Sequence, residues 1–245
     1  MHFSFGLGGA GATEGAASVI FHLLGCVPYQ ACARLQQQLV GEARRAEKPK
    51  CVVLLAEHPP EITVGRRGSR RHVRLSADEL AHRHLQVRWA PRGGGCVLHA
   101  PGQLAVYPIL PLAQLGWTLP KFRQIFHAGM TRTLLDCGYD LKPTLPGAGI
   151  WGNSGVLAAS GLGETDGVTH HGAWLNVNPD MHGFETIDIV PPDQVDKTVA
   201  TTMSSLFAEQ RRPIRMSTIR SALIEHMAAA FGCEAPHIST GHPCL

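Results

Sequence analysis

Apolar positions fall along this chain in short runs that differ in kind. "SVIFHLL" (18–24) and "CVVLLAE" (51–57) are continuous and of strand length, and the stretch between them reads as a helix from about Tyr29 to Ala46. Beyond the second run, Pro59, Pro60 and Gly65 in "HPPEITVGRRG" predict a segment with no regular element. A short helix is expected over Asp78–His84. The strand "QVRWA" (86–90) then enters a glycine run, and the strand "QLAVYPIL" (103–110) leaves it. Thr118 is placed to cap a helix reaching about Cys137, with Phe122, Ile125, Phe126 and Leu134 on its apolar side. "VLAASGL" (156–162) and "VTHHGAWLNVN" (168–178) read as strands joined by the turn "GETDG". Ser217 is the expected cap of a last helix, which runs through Phe231 and ends at Gly232.

Strands crowd the middle of the chain, and no regular βαβ alternation appears. This predicts an α+β fold with a mixed β-sheet flanked by helices, not a doubly wound one. Without an internal repeat or a Pro/Ser linker, one domain over 18–245 is expected, preceded by a loose glycine- and alanine-rich leader over 1–17.

Composition narrows the class. Hydrophobic residues make up 44% of the 245 and charged residues 17%, as in ordinary soluble proteins, and the formal charge of +3 gives no strong electrostatic address. The first basic residue is Arg34, so no signal peptide is expected. The apolar runs are too short to span a bilayer, so no membrane association is expected either. Seven cysteines without a CxxC pair suggest a reducing compartment, and hence a cytoplasmic protein.

The candidate chemistry centres on 92–99. Arg92 precedes Gly93, Gly94 and Gly95, and residues without a Cβ let backbone N–H groups touch a ligand oxygen or border an acyl chain. A flexible connection between strands is the plainer explanation. The run is neither a P-loop nor a GxGxxG that opens a helix. His99, His170 and His171 lack any ligand spacing such as HExxH, so no metal and no cofactor are expected. "GRRGSRRHVR" (65–74) holds five arginines: a solvated loop, or a surface that steers an acidic partner. With no aromatic interleaving, nucleic acid is not expected. Cys96, directly after the glycines, is a candidate nucleophile or simply a small buried hydrophobe.

Several segments in order, "LLGCVPY" (23–29), "EHPPEITVGRR" (57–67), "RGGGCVLHAPGQLAVYPIL" (92–110), "GIW" (149–151), "LAASGL" (157–162) and "GVTHHGAWLNVN" (167–178), resemble the lipoyl(octanoyl) transferases. Those enzymes move an octanoyl chain from acyl carrier protein to a lysine of lipoyl domains. The resemblance implies the α+β fold shared with biotin and lipoate protein ligases, and octanoyl-acyl carrier protein and lipoyl domains as partners. It also implies an acyl pocket lined by Arg92, Gly93, Gly94, Gly95, Cys96, Val97, Leu98, His99, Ala159, Ser160, Gly161, Gly172, Ala173 and Trp174.

The pattern departs from the family at two positions. The family's lysine, which favours a thiolate, corresponds to Val156. Its acyl-accepting cysteine corresponds to Pro192 or Val190, and the sequence holds no cysteine between Cys137 and Cys233. Valine and proline can neither attack a thioester nor lower a thiol pKa. Three readings follow: an acyltransferase with a rearranged mechanism, a non-catalytic binder of octanoyl or lipoyl groups or of their carrier domains, and an ATP-dependent ligase.

Overall fold

The computed structural model describes residues 18–142, 149–188 and 202–245, so the glycine-rich leader lies outside the described residues. Within them the chain builds two sheets. The larger holds β1 (Val19–Cys26), β2 (Cys51–Glu57), β6 (Gln103–Ile109), β7 (Ile150–Trp151), β8 (Val156–Thr165), β9 (Val168–Asn176) and β10 (His237–Thr240), in the order β10-β1-β2-β6-β9-β8-β7. The smaller holds β3 (Glu61–Val64), β4 (Val87–Trp89) and β5 (Cys96–His99), in the order β4-β3-β5. β1 runs parallel to both β2 and β10, whereas each neighbouring pair along β2, β6, β9 and β8 is antiparallel, so the sheet is mixed.

Helices cover the large sheet on both faces. α3 (Leu119–Asp136) and α5 (Met216–Ala230) pack Phe122, Met130, Leu223 and Met227 with Val53, Val106 and Ala173. α1 (Tyr29–Arg45) places Leu35 and Leu39 with Leu54, Tyr107 and Trp174. Alternate residues of β2 therefore enter different cores. This double burial is why its sequence is continuously apolar and does not alternate. Thr118 caps α3 as expected, its side chain accepting from the Lys121 amide.

Two local expectations are corrected. The segment between Pro60 and Gly65 is a strand: the prolines precede β3 and the glycine follows it. Ile62 and Val64 are fully buried, and the strand pairs with β4 on one side and β5 on the other. The last helix is capped at Arg215, with no side-chain cap bond, and Ser217 lies inside its first turn. The buried stripe of Ile219, Leu223, Ile224 and Met227 sets its position more strongly than a serine cap would. The short helix expected over Asp78–His84 is α2 (Ala77–His82), whereas β5, which leaves the glycine run ahead of β6, together with β7, β10 and a short helix α4 (Leu206–Gln210), was not anticipated, each being too short to print a periodicity.

Candidate functional site

The glycine run connects β4 to β5, both of which pair with β3, and it lies along the edge of β8. The Gly93 amide donates to the Leu162 carbonyl at 2.9 Å. A Cβ on Gly94 (φ +77°) would stand 3.2 Å from Ser160 O, and one on Gly161 would stand 2.8 Å from Gly93 O. These glycines thus permit two backbones to touch. Ala159, Ser160 and Gly161 pair across to Trp174, Ala173 and Gly172, so the three segments singled out in the sequence lie side by side. Their mutual contact is close-packed. A narrow apolar pocket of about 20 Å³ lies between α3 and β8, lined by Phe126, Met130, Ile150, Ala158, Ser160 and Ala173 among others. A far larger cleft of about 660 Å³ opens between α1, β4 and the β8–β9 hairpin, with Tyr29 and His171 in its lining. Of the residues singled out in the sequence, Ala159, Ser160 and Ala173 line the narrow pocket. None of 92–99, 159–161 or 172–174 lines the cleft.

Beneath the cleft lies a buried polar network whose proton positions follow from its partners. His58 Nδ1 stands 2.7 Å from the Val27 carbonyl, which can only accept, so Nδ1 carries the proton. Burial lowers the His58 pKa to about 4, so the ring is neutral and Nε2 accepts from the Tyr107 hydroxyl at 2.8 Å. Tyr107 Oη in turn accepts the Trp174 indole N–H at 2.9 Å. Arg92 is fully buried. Its Nη2 donates to Thr63 O at 3.0 Å and Thr63 Oγ1 at 2.7 Å, its Nη1 donates to Gly93 O at 2.9 Å, and its guanidinium lies 4.7 Å from the centroid of a Trp174 ring. Burial lowers its pKa only to about 10, so it remains a cation at neutral pH. Carbonyls and an aromatic face hold it, and no carboxylate contacts it among the described residues.

Three rings stand together in front of this cation. Tyr29 stacks on His99 at 5.1 Å and on His171 at 6.3 Å. His99 is fully buried, with Nε2 2.9 Å from Thr63 Oγ1, and its pKa is held well below the usual value chiefly by burial, with the Arg92 cation adding to it. Burial, with His170 and Arg92 behind it, lowers His171 to about 3. His171 departs from strand geometry at φ +53°, and its amide turns to donate to Gln36 Oε1 of α1 at 2.7 Å. Neutral imidazoles and a protonated phenol can offer and accept hydrogen bonds here, but at neutral pH they carry no charge. Tyr29, Gln36, His58 and Tyr107 were not singled out by sequence reasoning. Tyr29, His58 and Tyr107 lie within segments that carry the family resemblance, which was the signal that could have found them; Gln36 lies outside every such segment.

The remaining candidates are placed as follows. Cys96 is buried, burial pushes its thiol up to about 11, and Sγ lies 3.8 Å from Ser69 O, so it is protonated and shielded. Val156 opens β8 and is 3% exposed, with its amide on Thr202 O and its carbonyl accepting from Ser204, both at 2.9 Å. Pro192 and Val190 lie outside the described residues. Of the arginines in 65–74, Arg70 is tied to the Val73 and Leu75 carbonyls and Arg74 to Asp188, while Arg66, Arg67 and Arg71 are exposed. Among the described residues, no three His, Cys, Asp or Glu side chains converge where an ion could sit, and no helix is long and apolar enough to cross a membrane.

Residues 28–228 match the family described as the lipoyl protein ligase A/B catalytic domain. An octanoyltransferase of Roseiflexus sp. (strain RS-1) is 35% identical over 225 residues, covering 90% of each chain. One from Chloroflexus aurantiacus (strain ATCC 29366 / DSM 635 / J-10-fl) is 34% identical over 216 residues, covering 87% of this chain and 94% of its own. Among solved structures, the bi-partite lipoate protein ligase of Thermoplasma acidophilum superposes with a TM-score of 0.71 at 12% identity, covering 93% of this chain and 88% of that one. A lipoate-protein ligase A bound with ATP gives a TM-score of 0.71 at 12% identity, covering 93% and 91%.

Proposed function

This chain belongs to the lipoyl protein ligase A/B catalytic-domain family, and from that premise we propose that it transfers octanoyl groups in cytoplasmic protein lipoylation without forming an acyl-enzyme. The single observation that carries the second half is the state of Cys96, the thiol beside the glycine run, which is shielded and protonated. By the resemblance, the family's lysine position corresponds to the buried Val156 and its cysteine position to Val190 or Pro192. In a direct transfer, the neutral amine of the lipoyl-domain lysine attacks the thioester carbonyl of octanoyl-acyl carrier protein. The C–N bond forms, the C–S bond breaks, and the carrier thiol leaves with the proton lost by the amine. Positioning two carriers on one surface is itself worth several kcal/mol of barrier. An ATP-dependent ligase is disfavoured: the octanoyltransferases are 34–35% identical to this chain, the superposed lipoate ligases 12%.

Intact mass of all three proteins after mixing tests this. The lipoyl domain gains an octanoyl group and this chain gains none. A wild-type adduct that disappears in Cys96→Ser would overturn the proposal and make Cys96 a relocated nucleophile. Val156→Lys combined with Val190→Cys or Pro192→Cys should create an adduct, because an unassisted thiol of pKa near 8.5 is only a few per cent ionised at neutral pH. Either cysteine alone should form it poorly. The close contact of 92–95 with β8 favours a second reading, a non-catalytic binder of carrier domains. In that case both partners bind and no octanoyl group moves.

Carrier recognition falls to the arginines. Arg66, Arg67 and Arg71 are exposed and form no ion pair among the described residues, so an acidic carrier domain should bind with affinity that falls as salt rises. Titration of apo acyl carrier protein at low and high ionic strength checks it. Binding indifferent to salt, or unchanged in Arg66→Ala/Arg67→Ala, would remove the arginines from the interface.

A further inference from the structure

Two buried side-chain amides tie the small sheet to the large one at the end of β5 farther from the glycine run. Gln103, at the start of β6, and Asn176, at the end of β9, are cross-strand partners. Gln103 Nε2 donates to the Leu98 carbonyl of β5 at 3.1 Å and to Asn176 Oδ1 at 2.9 Å, and Asn176 Nδ2 donates to the Ser204 carbonyl at 2.9 Å. The Leu98 and Ser204 carbonyls can only accept, which fixes the orientation of both amides. Ser204 in turn donates its own amide to the Val156 carbonyl, at the start of β8, at 2.9 Å. One chain of bonds thus runs from β5 through β6 and β9 to β8. The turn that delivers Gln103 is fixed as well: the Gly102 amide donates to Glu57 Oε2 at 2.7 Å, and a Cβ on Gly102 would stand 2.4 Å from Asn178 O.

The other end of β5 is held differently. There the glycine run meets β8 backbone against backbone, through the bond from the Gly93 amide to the Leu162 carbonyl, so an acyl chain lying between them has to part the two. Apolar packing yields in many directions. A satisfied buried amide relay tolerates little shift, because each lost bond leaves a polar group bare in a dry interior. We propose that Gln103 and Asn176 are specificity-determining positioning residues: they pin the far end of the small sheet, so the sheets part only at the glycine run, and the pinned end limits the length of acyl chain admitted. This rests on the proposed octanoyl transfer, with the acyl chain against 92–95 and β8. Neither amide touches the reacting atoms, and both act through the strands they hold.

The experiment makes two measurements on the full-length protein. Hydrogen exchange compares wild type with Gln103→Met, which keeps the length of the side chain and loses its hydrogen bonds. Amides over 93–99 should exchange roughly tenfold faster in the variant, while those of α3 and α5 stay protected. An equimolar mixture of octanoyl- and dodecanoyl-acyl carrier protein, with apo lipoyl domain as acceptor, then reads selectivity from the masses of the modified domain. That product ratio reports relative kcat/KM and does not depend on how much enzyme is folded. Wild type should favour the octanoyl group. Gln103→Met and Asn176→Leu should each lower the preference roughly tenfold, and the double variant no further, because a single relay is broken. Leu223→Ala, a cavity in the core beneath α5, should cost stability and leave the ratio unchanged. A ratio unchanged in Gln103→Met or Asn176→Leu, exchange that stays at the wild-type rate over 93–99 or rises equally in α3 and α5, or a Gln103→Met chain that does not fold would each overturn the proposal. Wild type that transfers neither acyl group would instead sink the octanoyl-transfer reading, and the selectivity role with it, whatever the exchange shows.

Discussion

Acidification should unfold this protein well above the pH at which its carboxylates titrate. His58, at about 4, and His171, at about 3, titrate far below a free imidazole, and His99 lies well below it too, all three chiefly because burial disfavours the charged ring. Their folded pKa values are depressed. Below about pH 6.5 the unfolded chain binds protons that the folded one refuses, so stability is complete above that pH and falls as pH drops toward 4. Each ring costs ~1.4 kcal/mol per pH unit in that window, so by pH 5 the three together remove several kcal/mol from a total of typically 5–15 kcal/mol. Carboxylates such as Glu42, whose pKa is lowered by its bond to Lys50, contribute only at lower pH. Urea midpoints measured from pH 7.5 to 5 test this. A midpoint flat across that range would mean that the three rings are hydrated and not buried as the structure has them.

Gly172→Ala should be the most damaging single methyl in the described sheet. Its Cβ would overlap the Val106 carbonyl oxygen and lie 2.8 Å from Pro108 Cδ, both on the neighbouring β6. Backbone at the centre of a sheet cannot yield as the end of a flexible side chain can, so β6 and β9 must separate locally. The expected cost is about 3 kcal/mol, at the upper end of what overpacking produces. Gly167→Ala is the control: at φ +78° in the β8–β9 turn it meets nothing within 4 Å, so only the left-handed strain of about 1 kcal/mol applies. Chemical denaturation of both variants against wild type measures the difference. A Gly172→Ala protein no less stable than Gly167→Ala would contradict the register of β6 on β9.

The elements that could be read from the chain are those whose local pattern and final burial agree. α1 and α3 repeat the helical period for long enough to identify it and bury the face it marks, while β2, β6, β8 and β9 are long, mainly apolar runs between turn residues that end up buried on both faces. β3 was hidden because Pro59, Pro60 and Gly65 dominate a local reading, while four residues between two partner strands need no propensity of their own. Arg92, the glycines, Ala159–Gly161 and Gly172–Trp174 were identifiable as one neighbourhood through their motifs, and β8 and β9 do bring them together.

What the sequence determined by itself is the class of fold, the family, and the order of the glycine, histidine and tryptophan motifs along the chain. These depend on residue identity and order, which no folding event alters. Only the tertiary structure decided which polar residues become buried partners. His58 lies 49 positions from Tyr107, and Tyr107 lies 67 positions from Trp174, so their shared network exists only because β2, β6 and β9 are neighbours in the sheet. The same holds for Arg92, which in sequence is a charge beside flexible glycines and in the fold is a buried cation that no carboxylate contacts among the described residues. Burial and electrostatic field depend on what stands around a group in three dimensions, and long-range strand pairing sets that environment.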